Sequence, residues 1–364
     1  MRGVLVHEWL ARAGGSENVF EAMSRIYPDE DMLCLWDDSD GRFEASRLRE
    51  TWLARTPLRR SKALALPLMP LAWRTQRGPD YDWALISSHA FAHHVDFGRP
   101  DMPRFVYVHT PARYVWTPEL DGRGSNLAVR AVAATLKGTD RRRALAGARL
   151  AANSAFVQER IARTWGVPAR VIHPPVDVER IQSRDWAPTL DDDEARILDG
   201  LPDQFMLGAS RFIPYKELDT VIRAGEACDM PVVLAGRGPE LPRLQALADQ
   251  ATVPVTFVIS PSNALLWALF RRAAVYVFPA VEDFGIMPVE AMAAGAPVVA
   301  RDVGGTTESV VDGVTGALCG FESPASVKAA VERATATSLE DRLAHAQRFS
   351  QARFATEIRE WVGA

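Results

Sequence analysis

Short apolar runs rich in Val, Leu, Ile and aromatic residues alternate along the chain with longer stretches of helical periodicity. Gly3 to His7 reads as a first strand, and Gly14-Gly15-Ser16-Glu17 opens a helix that continues to Tyr27. Further strands are predicted over 83–87, 104–108, 150–153 and 169–173. A Pro-containing break follows at His173-Pro174-Pro175-Val176-Asp177, and 178–203 reads as a connection with an exposed segment. The acidic run Asp191-Asp192-Asp193-Glu194 within it reads as a solvated loop. The alternation then restarts, with strands over 205–209, 231–235, 255–259, 275–278 and 297–300 and helices over 217–227, 263–273 and 288–294. From about Ser338 the tail is amphipathic, with Phe349, Phe354, Ile358 and Trp361 near helical spacing. Strands separated by helices indicate open parallel α/β sheets.

The restart, in a chain of 364 residues, divides it into two Rossmann-like domains, 1–177 and 178–345. A terminal helix over 346–364 is expected to pack back toward the first domain. The net charge of −4 argues against a general nucleic-acid binder, so no nucleic-acid partner is expected. Cys34, Cys228 and Cys319 are scattered and show neither a disulfide framework nor a zinc spacing, which fits a reducing, cytoplasmic compartment. The apolar start MRGVLVHEWL is short for a signal peptide, and no run of about 18 apolar residues suggests a membrane span.

Four stretches carry candidate chemistry. In Glu282-Asp283-Phe284-Gly285-Ile286-Met287-Pro288-Val289-Glu290, Gly285 permits close approach of a ligand and Pro288 suits a helix start. The N–H groups of that helix start can meet phosphate or sugar oxygens, and Glu282 and Glu290 can accept from sugar hydroxyls. Solvated helix-start acids are the alternative. In Ser210-Arg211-Phe212-Ile213-Pro214-Tyr215-Lys216, Arg211 offers a planar fork and Lys216 a point charge for a departing diphosphate; a surface ion-pair cluster is the alternative. Gly14 and Gly15 follow the first strand, where glycine admits a phosphate to a helix N-terminus. They do not form the spaced three-glycine dinucleotide fingerprint. His109, in His109-Thr110-Pro111-Ala112-Arg113-Tyr114-Val115-Trp116, ends a strand where open α/β sheets place ligands, although a lone His is more often structural.

These motifs resemble the retaining nucleotide-sugar glycosyltransferases of the two-domain GT-B type, glycosyltransferase family 4, most strongly over 205–316. The resemblance implies an α/β GT-B fold, with two Rossmann-like domains facing across a cleft that holds the active site. It places Glu282 beside the donor sugar, Glu290 on the ribose hydroxyls, and the backbone of Phe284, Gly285 and Ile286 at sugar and phosphate. Arg211 and Lys216 would bind the diphosphate, and Gly14 and Gly15 would form part of the donor loop. His109 would lie at the donor sugar. Where the family often has Gly after the Lys, this chain has Glu217, and where it commonly has Pro before the Glu of Gly304-Gly305-Thr306-Thr307-Glu308, this chain has Thr307. That turn and Gly236-Arg237-Gly238-Pro239 read as nucleotide loops or as close-packing turns. The pattern from His109 to Trp116 resembles mannosyltransferases of bacterial surface polysaccharide synthesis, which implies GDP-mannose as donor and Arg113, Tyr114 and Trp116 on the acceptor side. No cofactor and no metal are expected, since Arg211, Lys216 and helix N-termini would supply the positive charge. The His93-His94 pair lacks a third ligand at suitable spacing.

The segment 51–79 carries Arg55, Arg59, Arg60, Lys62, Arg74 and Arg77 and no acid, interleaved with Leu64, Leu66, Leu68, Met69, Leu71 and Trp73. Lys137, Arg141, Arg142 and Arg143 form a second basic cluster. Such a composition suits either the anionic inner face of a membrane or a solvated helix pair. The expected function is hexosyl transfer from a nucleotide sugar to a glycan or lipid-linked acceptor. A sugar-nucleotide-binding protein without turnover, an epimerase and a phosphorylase are the rivals on this architecture.

Overall fold

The computed structural model describes residues 1–76, 80–116 and 127–363, with the side chains of Tyr114 and of 127–135 outside that description. The chain forms two compact units, Met1–Pro175 with Ala352–Ala364, and Val176–Gln351.

The first unit holds the strands β1 (Gly3–Val6), β2 (Leu10–Ala11), β3 (Asp31–Cys34), β4 (Asp37–Asp38), β5 (Leu48–Glu50), β6 (Trp83–Ser88), β7 (Arg104–Val108), β8 (Arg149–Ala152) and β9 (Arg170–Val171). Seven of them form a sheet in the order β5-β3-β1-β6-β7-β8-β9, in which every pairing is parallel. Successive residues of a strand point to opposite faces. Val4 and Val6 of β1 accordingly enter one core cluster and Leu5 the other, and covering both faces demands the unbroken apolar runs seen in the sequence.

The second unit holds β10 (Met206–Arg211), β11 (Val232–Arg237), β12 (Val255–Ile259), β13 (Val275–Phe278), β14 (Val298–Arg301) and β15 (Ala317–Cys319). They form one parallel sheet in the order β12-β11-β10-β13-β14-β15. Because the strands are parallel, Arg211, Arg237 and Phe278 all leave the sheet at one edge, where α/β folds bind ligands.

The structure departs from the sequence reading at the unit boundaries, in the tail and at the acidic run. The unit boundaries fall at 175/176 and 351/352, where composition suggested 177/178 and 345/346. The reason is pairing, since the Val176 amide donates to the Phe349 carbonyl at 2.8 Å and anchors both ends of the second unit together. The tail is also broken. Helix Leu339–Ala346 and a short turn end at extended Ser350, and helix Gln351–Val362 starts afresh. Phe349 meets Phe284 at 5.3 Å in the second unit, whereas Phe354 and Trp361 pack on Tyr107 and Phe105 of the first. Finally, the acidic run is a helix start, not a loop. Asp191 caps helix Asp192–Asp199 by accepting from the amides of Asp193 and Glu194 at 3.1 and 2.8 Å, and the following acids favour the positive end of the helix.

Candidate functional site

In the second unit the turn after β10 places the two expected cations differently. Arg211 is exposed and donates to the Tyr215 hydroxyl at 2.8 Å. Lys216 is buried, and its Nζ donates to Glu282 Oε1 at 2.5 Å. The ammonium also stands 5.3 Å from the Tyr215 ring centroid and 5.5 Å from that of Phe278. An aromatic and anionic cage of this kind holds one cation in place before any ligand arrives. Glu217, the residue after it, is left-handed at φ 49° and ion-paired with Arg301. Glycine adopts this conformation most readily, and the ion pair with Arg301 on β14 holds an L-residue in it here.

Glu290 lies inside helix Ile286–Ala293, which starts at left-handed Gly285, φ 91°. Its carboxyl is pushed up to about 7, first by burial and then by the charge of Asp177. Beneath it Tyr276 donates to the Ala209 carbonyl at 3.0 Å and keeps its proton well above the usual range, through burial and then Glu290 and Glu282. The two expected carboxylates therefore act on one buried tyrosine. They differ in state, one ion-paired to Lys216 and the other poised to titrate.

Both further glycine turns approach neighbouring backbone closely. A Cβ on Gly236 would lie 1.8 Å from the Ser210 carbonyl oxygen, and one on Gly238 2.3 Å from that of Phe212. Gly305 donates its amide to the Glu282 carbonyl at 2.8 Å, and its Cβ would lie 2.3 Å from Phe284 Cα. The Gly304-Gly305 turn thus braces the 282–285 loop from behind. Arg237 is exposed at the end of β11, in register with Arg211.

In the first unit helix Gly15–Ile26 begins at extended Gly14. Glu17 is buried, accepts from Ser16 Oγ at 2.8 Å, and would stand 2.0 Å from a Cβ on Gly14. His109 follows β7 and its Nε2 lies 2.8 Å from Ser87 Oγ. The next residue, Thr110, accepts from the Arg160 guanidinium at 2.7 Å, which ties down the His109-Thr110-Pro111 turn. Arg113 and Trp116 lie on the short helix Arg113–Trp116, with the Tyr114 side chain outside the described residues. Trp116 turns its indole N–H inward to Asp140 Oδ2, at 2.7 Å.

Asp140 is the third polar partner that the His93-His94 pair lacked in the sequence. Its Oδ1 lies 3.0 Å from His94 Nε2 and 3.1 Å from His93 Nε2, while Oδ2 accepts from both Trp116 and Trp165 at 2.7 Å. Burial alone would raise this carboxyl, but His93 and His94 hold it below the usual carboxylate range. Both Asp140 oxygens accept from protein donors, while His93 Nε2 and His94 Nδ1 are buried without a hydrogen-bond partner, so the three side chains stand where they could hold a metal ion. Sequence reasoning also missed His7, Glu8 and Ser87, all buried at the ends of β1 and β6, because nothing in their local pattern sets them apart from strand-end residues. Glu8 accepts from the Ala90 and Ala92 amides at 2.8 and 2.7 Å.

Of the basic segment, Arg59 pairs with Asp38, and Lys62 stands 4.3 Å over the Trp9 ring. Arg55, Arg60 and Arg74 are exposed, as are Trp52, Leu64 and Leu71, while Met69 and Trp73 are core residues. Arg77 lies outside the described residues. Among the described residues no helix is long and apolar enough to cross a membrane.

Comparison with known proteins follows the same division. The family model Glycosyltransferase Family 4 matches residues 13–180, and the model Glycosyl transferases group 1 matches residues 193–353. D-inositol 3-phosphate glycosyltransferase of Mycobacterium tuberculosis is 35% identical over 164 residues, a match that covers 42% of this chain and 33% of that protein's own length. Two solved structures align along the chain. Anabaena HepE, determined in complex with UDP, has a TM-score of 0.72 at 19% identity and is covered, like this chain, over 100% of its length. The lipopolysaccharide outer core galactosyltransferase WaaB has a TM-score of 0.68 at 13% identity, covering 100% of this chain and 99% of that one. The chain has the GT-B fold of the group 1 and family 4 glycosyltransferases.

Proposed function

We propose that this protein is a glycosyltransferase that moves a hexosyl group from a nucleoside-diphosphate sugar to a glycan or lipid-linked acceptor. The observation that carries this reading is the buried Lys216–Glu282 pair beside exposed Arg211 at the carboxyl edge of the second sheet. Fixed cations at that edge suit a leaving diphosphate, whose charge grows as the glycosidic bond breaks. Glu282 is already the counter-ion of Lys216, which makes it a poor nucleophile for double displacement. Departure and attack then share one face. The leaving phosphate accepts the proton of the acceptor hydroxyl, and the anomeric configuration is retained. His109 orients the sugar as positive charge develops on it. Arg211, Lys216 and helix N-termini supply the charge that a divalent metal would otherwise bring.

Mannose from GDP-mannose is the first donor to test, on the motif from His109 to Trp116. A uridine nucleotide is the competing donor, since HepE was determined with UDP and with UDP-glucose. Incubation with either donor and a lipid-diphosphate-linked sugar, read by mass spectrometry and proton NMR, is expected to give hexosyl transfer with the donor's anomeric configuration. Donor binding with no product from any acceptor would make this a binding protein. An inverted centre would defeat the retaining mechanism, and faster transfer from UDP-glucose would replace the donor.

Glu290 is assigned to the ribose hydroxyls. Glu290→Ala should weaken binding of free nucleoside diphosphate by roughly 1.5–3 kcal/mol, as for other hydrogen bonds to a charged group. Since its carboxyl titrates near 7, affinity should rise with pH through that region as the accepting carboxylate forms. Isothermal titration across that range checks both; an affinity that ignores the substitution removes Glu290 from the site.

We assign a membrane-facing role to the exposed basic and apolar groups of 52–74. Arg55, Arg60 and Arg74 changed together to Ser should reduce co-sedimentation with anionic liposomes, each contributing about 1 kcal/mol near such a surface. Unchanged co-sedimentation would leave the segment as ordinary surface.

A further inference from the structure

The ends of β1, β6 and β7 bring three histidines together although they are far apart in sequence. Ring centroids of His7 and His89 are 5.5 Å apart, those of His89 and His109 6.2 Å, and those of His7 and His109 6.4 Å. The Ser87 hydroxyl stands between two of them, 2.9 Å from His7 Nδ1 and 2.8 Å from His109 Nε2. The His7 plane is set by parallel stacking on Phe20, with centroids 4.9 Å apart and 19° between the planes. Burial, then His89 and His109, hold His7 well below its usual range, so it is neutral and carries one proton.

The Ser87 hydroxyl can accept from both rings, but its own buried proton would then have no acceptor among the described residues; with that proton donated to one ring, the chain His7–Ser87–His109 runs in one of two directions. If His109 Nε2 donated to Ser87 and Ser87 to His7 Nδ1, the His7 proton would sit on Nε2. That atom is buried and has no hydrogen-bond partner. A buried N–H without an acceptor is the rarer and costlier kind of orphan. In the other direction His7 Nδ1–H donates to Ser87, Ser87 donates to His109 Nε2, and the orphan on His7 is only a lone pair.

We propose that Ser87, oriented by His7, is a positioning residue for His109, holding its imidazole in the tautomer that carries the proton on Nδ1. The importance of this for catalysis rests on the transferase reading above; the tautomer itself does not. His109 would then present a hydrogen-bond donor, not an acceptor, on its Nδ1 edge. A tautomer set by a partner behind the ring is how orienting residues act on a working histidine.

The test is long-range proton–nitrogen correlation NMR on protein labelled with nitrogen-15 histidine, with His109→Gln identifying the resonances. The wild type should show His109 protonated on Nδ1 alone. Ser87→Ala should release it to Nε2–H or to a mixture, and Ser87→Thr should restore it. His7→Phe should leave both tautomers populated; a single Nδ1–H form there would remove His7 from the proposal. If Ser87→Ala does not fold, Ser87→Cys retains the size with weak hydrogen bonding and should show the same release. A wild-type His109 protonated on Nε2, or a tautomer indifferent to Ser87→Ala, overturns the proposal. In transfer assays Ser87→Ala should lower kcat by about tenfold to 100-fold, as loss of an orienting partner does elsewhere, with KM little changed and Ser87→Thr rescuing. The expected tautomers in a protein that transfers no sugar would sink the transferase reading and leave the positioning intact.

Discussion

Lys216→Ala is expected to lower turnover by about 100-fold to 1,000-fold, the range for loss of a preorganised charge that meets a developing anion. The side chain is buried against Glu282, Tyr215 and Phe278, so its ammonium needs no reorganisation when the diphosphate departs. Removing it deletes that charge and leaves Glu282, whose side chain is only 18% exposed, without its counter-ion. The leftover carboxylate would repel a diphosphate, so affinity for the free nucleotide should fall as well. Arg211→Ala provides the control on folding. Arg211 is exposed, and among the described residues its side chain donates to the Tyr215 hydroxyl at 2.8 Å, so its loss should leave stability nearly unchanged while turnover falls. Circular dichroism, a denaturation curve and steady-state kinetics on both variants separate the effects. Near-wild-type turnover in folded Lys216→Ala would remove the pair from the chemistry.

The second large effect falls on stability. Asp140→Ala should cost about 3–5 kcal/mol, the penalty for removing one partner of a buried charged network. Trp116 and Trp165 would each lose an acceptor at 2.7 Å, and His94 would lose one at 3.0 Å, all in the core of the first unit. Urea denaturation measures the loss, and a cost within about 1 kcal/mol would show that water replaces the carboxylate. The same region makes the fold acid-sensitive. Burial and His93 press His94 down to about 4, burial and His109 press His89 down to about 3, and His7 is likewise depressed. In the unfolded chain these rings bind protons near their ordinary value of about 6.5. The unfolded state therefore gains protons first as pH falls, and stability declines from about pH 6.5 downward, by up to about 1.4 kcal/mol per pH unit for each ring. Asp140 adds nothing in that window, since a depressed carboxyl loses its contribution only below the ordinary carboxylate range. A stability flat between neutral pH and about pH 5 would mean that the rings are solvated, against the buried positions assigned to them.

Much of this protein is legible in its sequence. Runs such as Val275–Phe278 and Val232–Ala235 are apolar at every position because both faces of a parallel strand are covered, and that demand is written locally. Gly285 and the motif around it are legible for the same reason, since a left-handed helix start favours one residue type. The short strands Asp31–Cys34, Leu48–Glu50 and Ala317–Cys319 were not anticipated; two of them lie at sheet edges, where part of the strand is solvated and the apolar run is cut short.

By itself, then, the sequence determined the alternation of strands and helices, the two-unit α/β architecture, and the residue types gathered at the strand ends. Those features depend on backbone geometry within a few residues. Only the tertiary structure decided which of these residues act together. Lys216 meets Glu282 across 66 positions, and the His94–Asp140 contact spans 46. Ser87 reaches His7 across 80 positions and His109 across 22. Tertiary packing also sets the need for glycine at 236, 238 and 305, because the atoms that forbid a Cβ there belong to neighbouring loops. Parallel strands connected by crossovers place residues from separated segments at a common edge, so partners there are set by strand order, which no local pattern encodes.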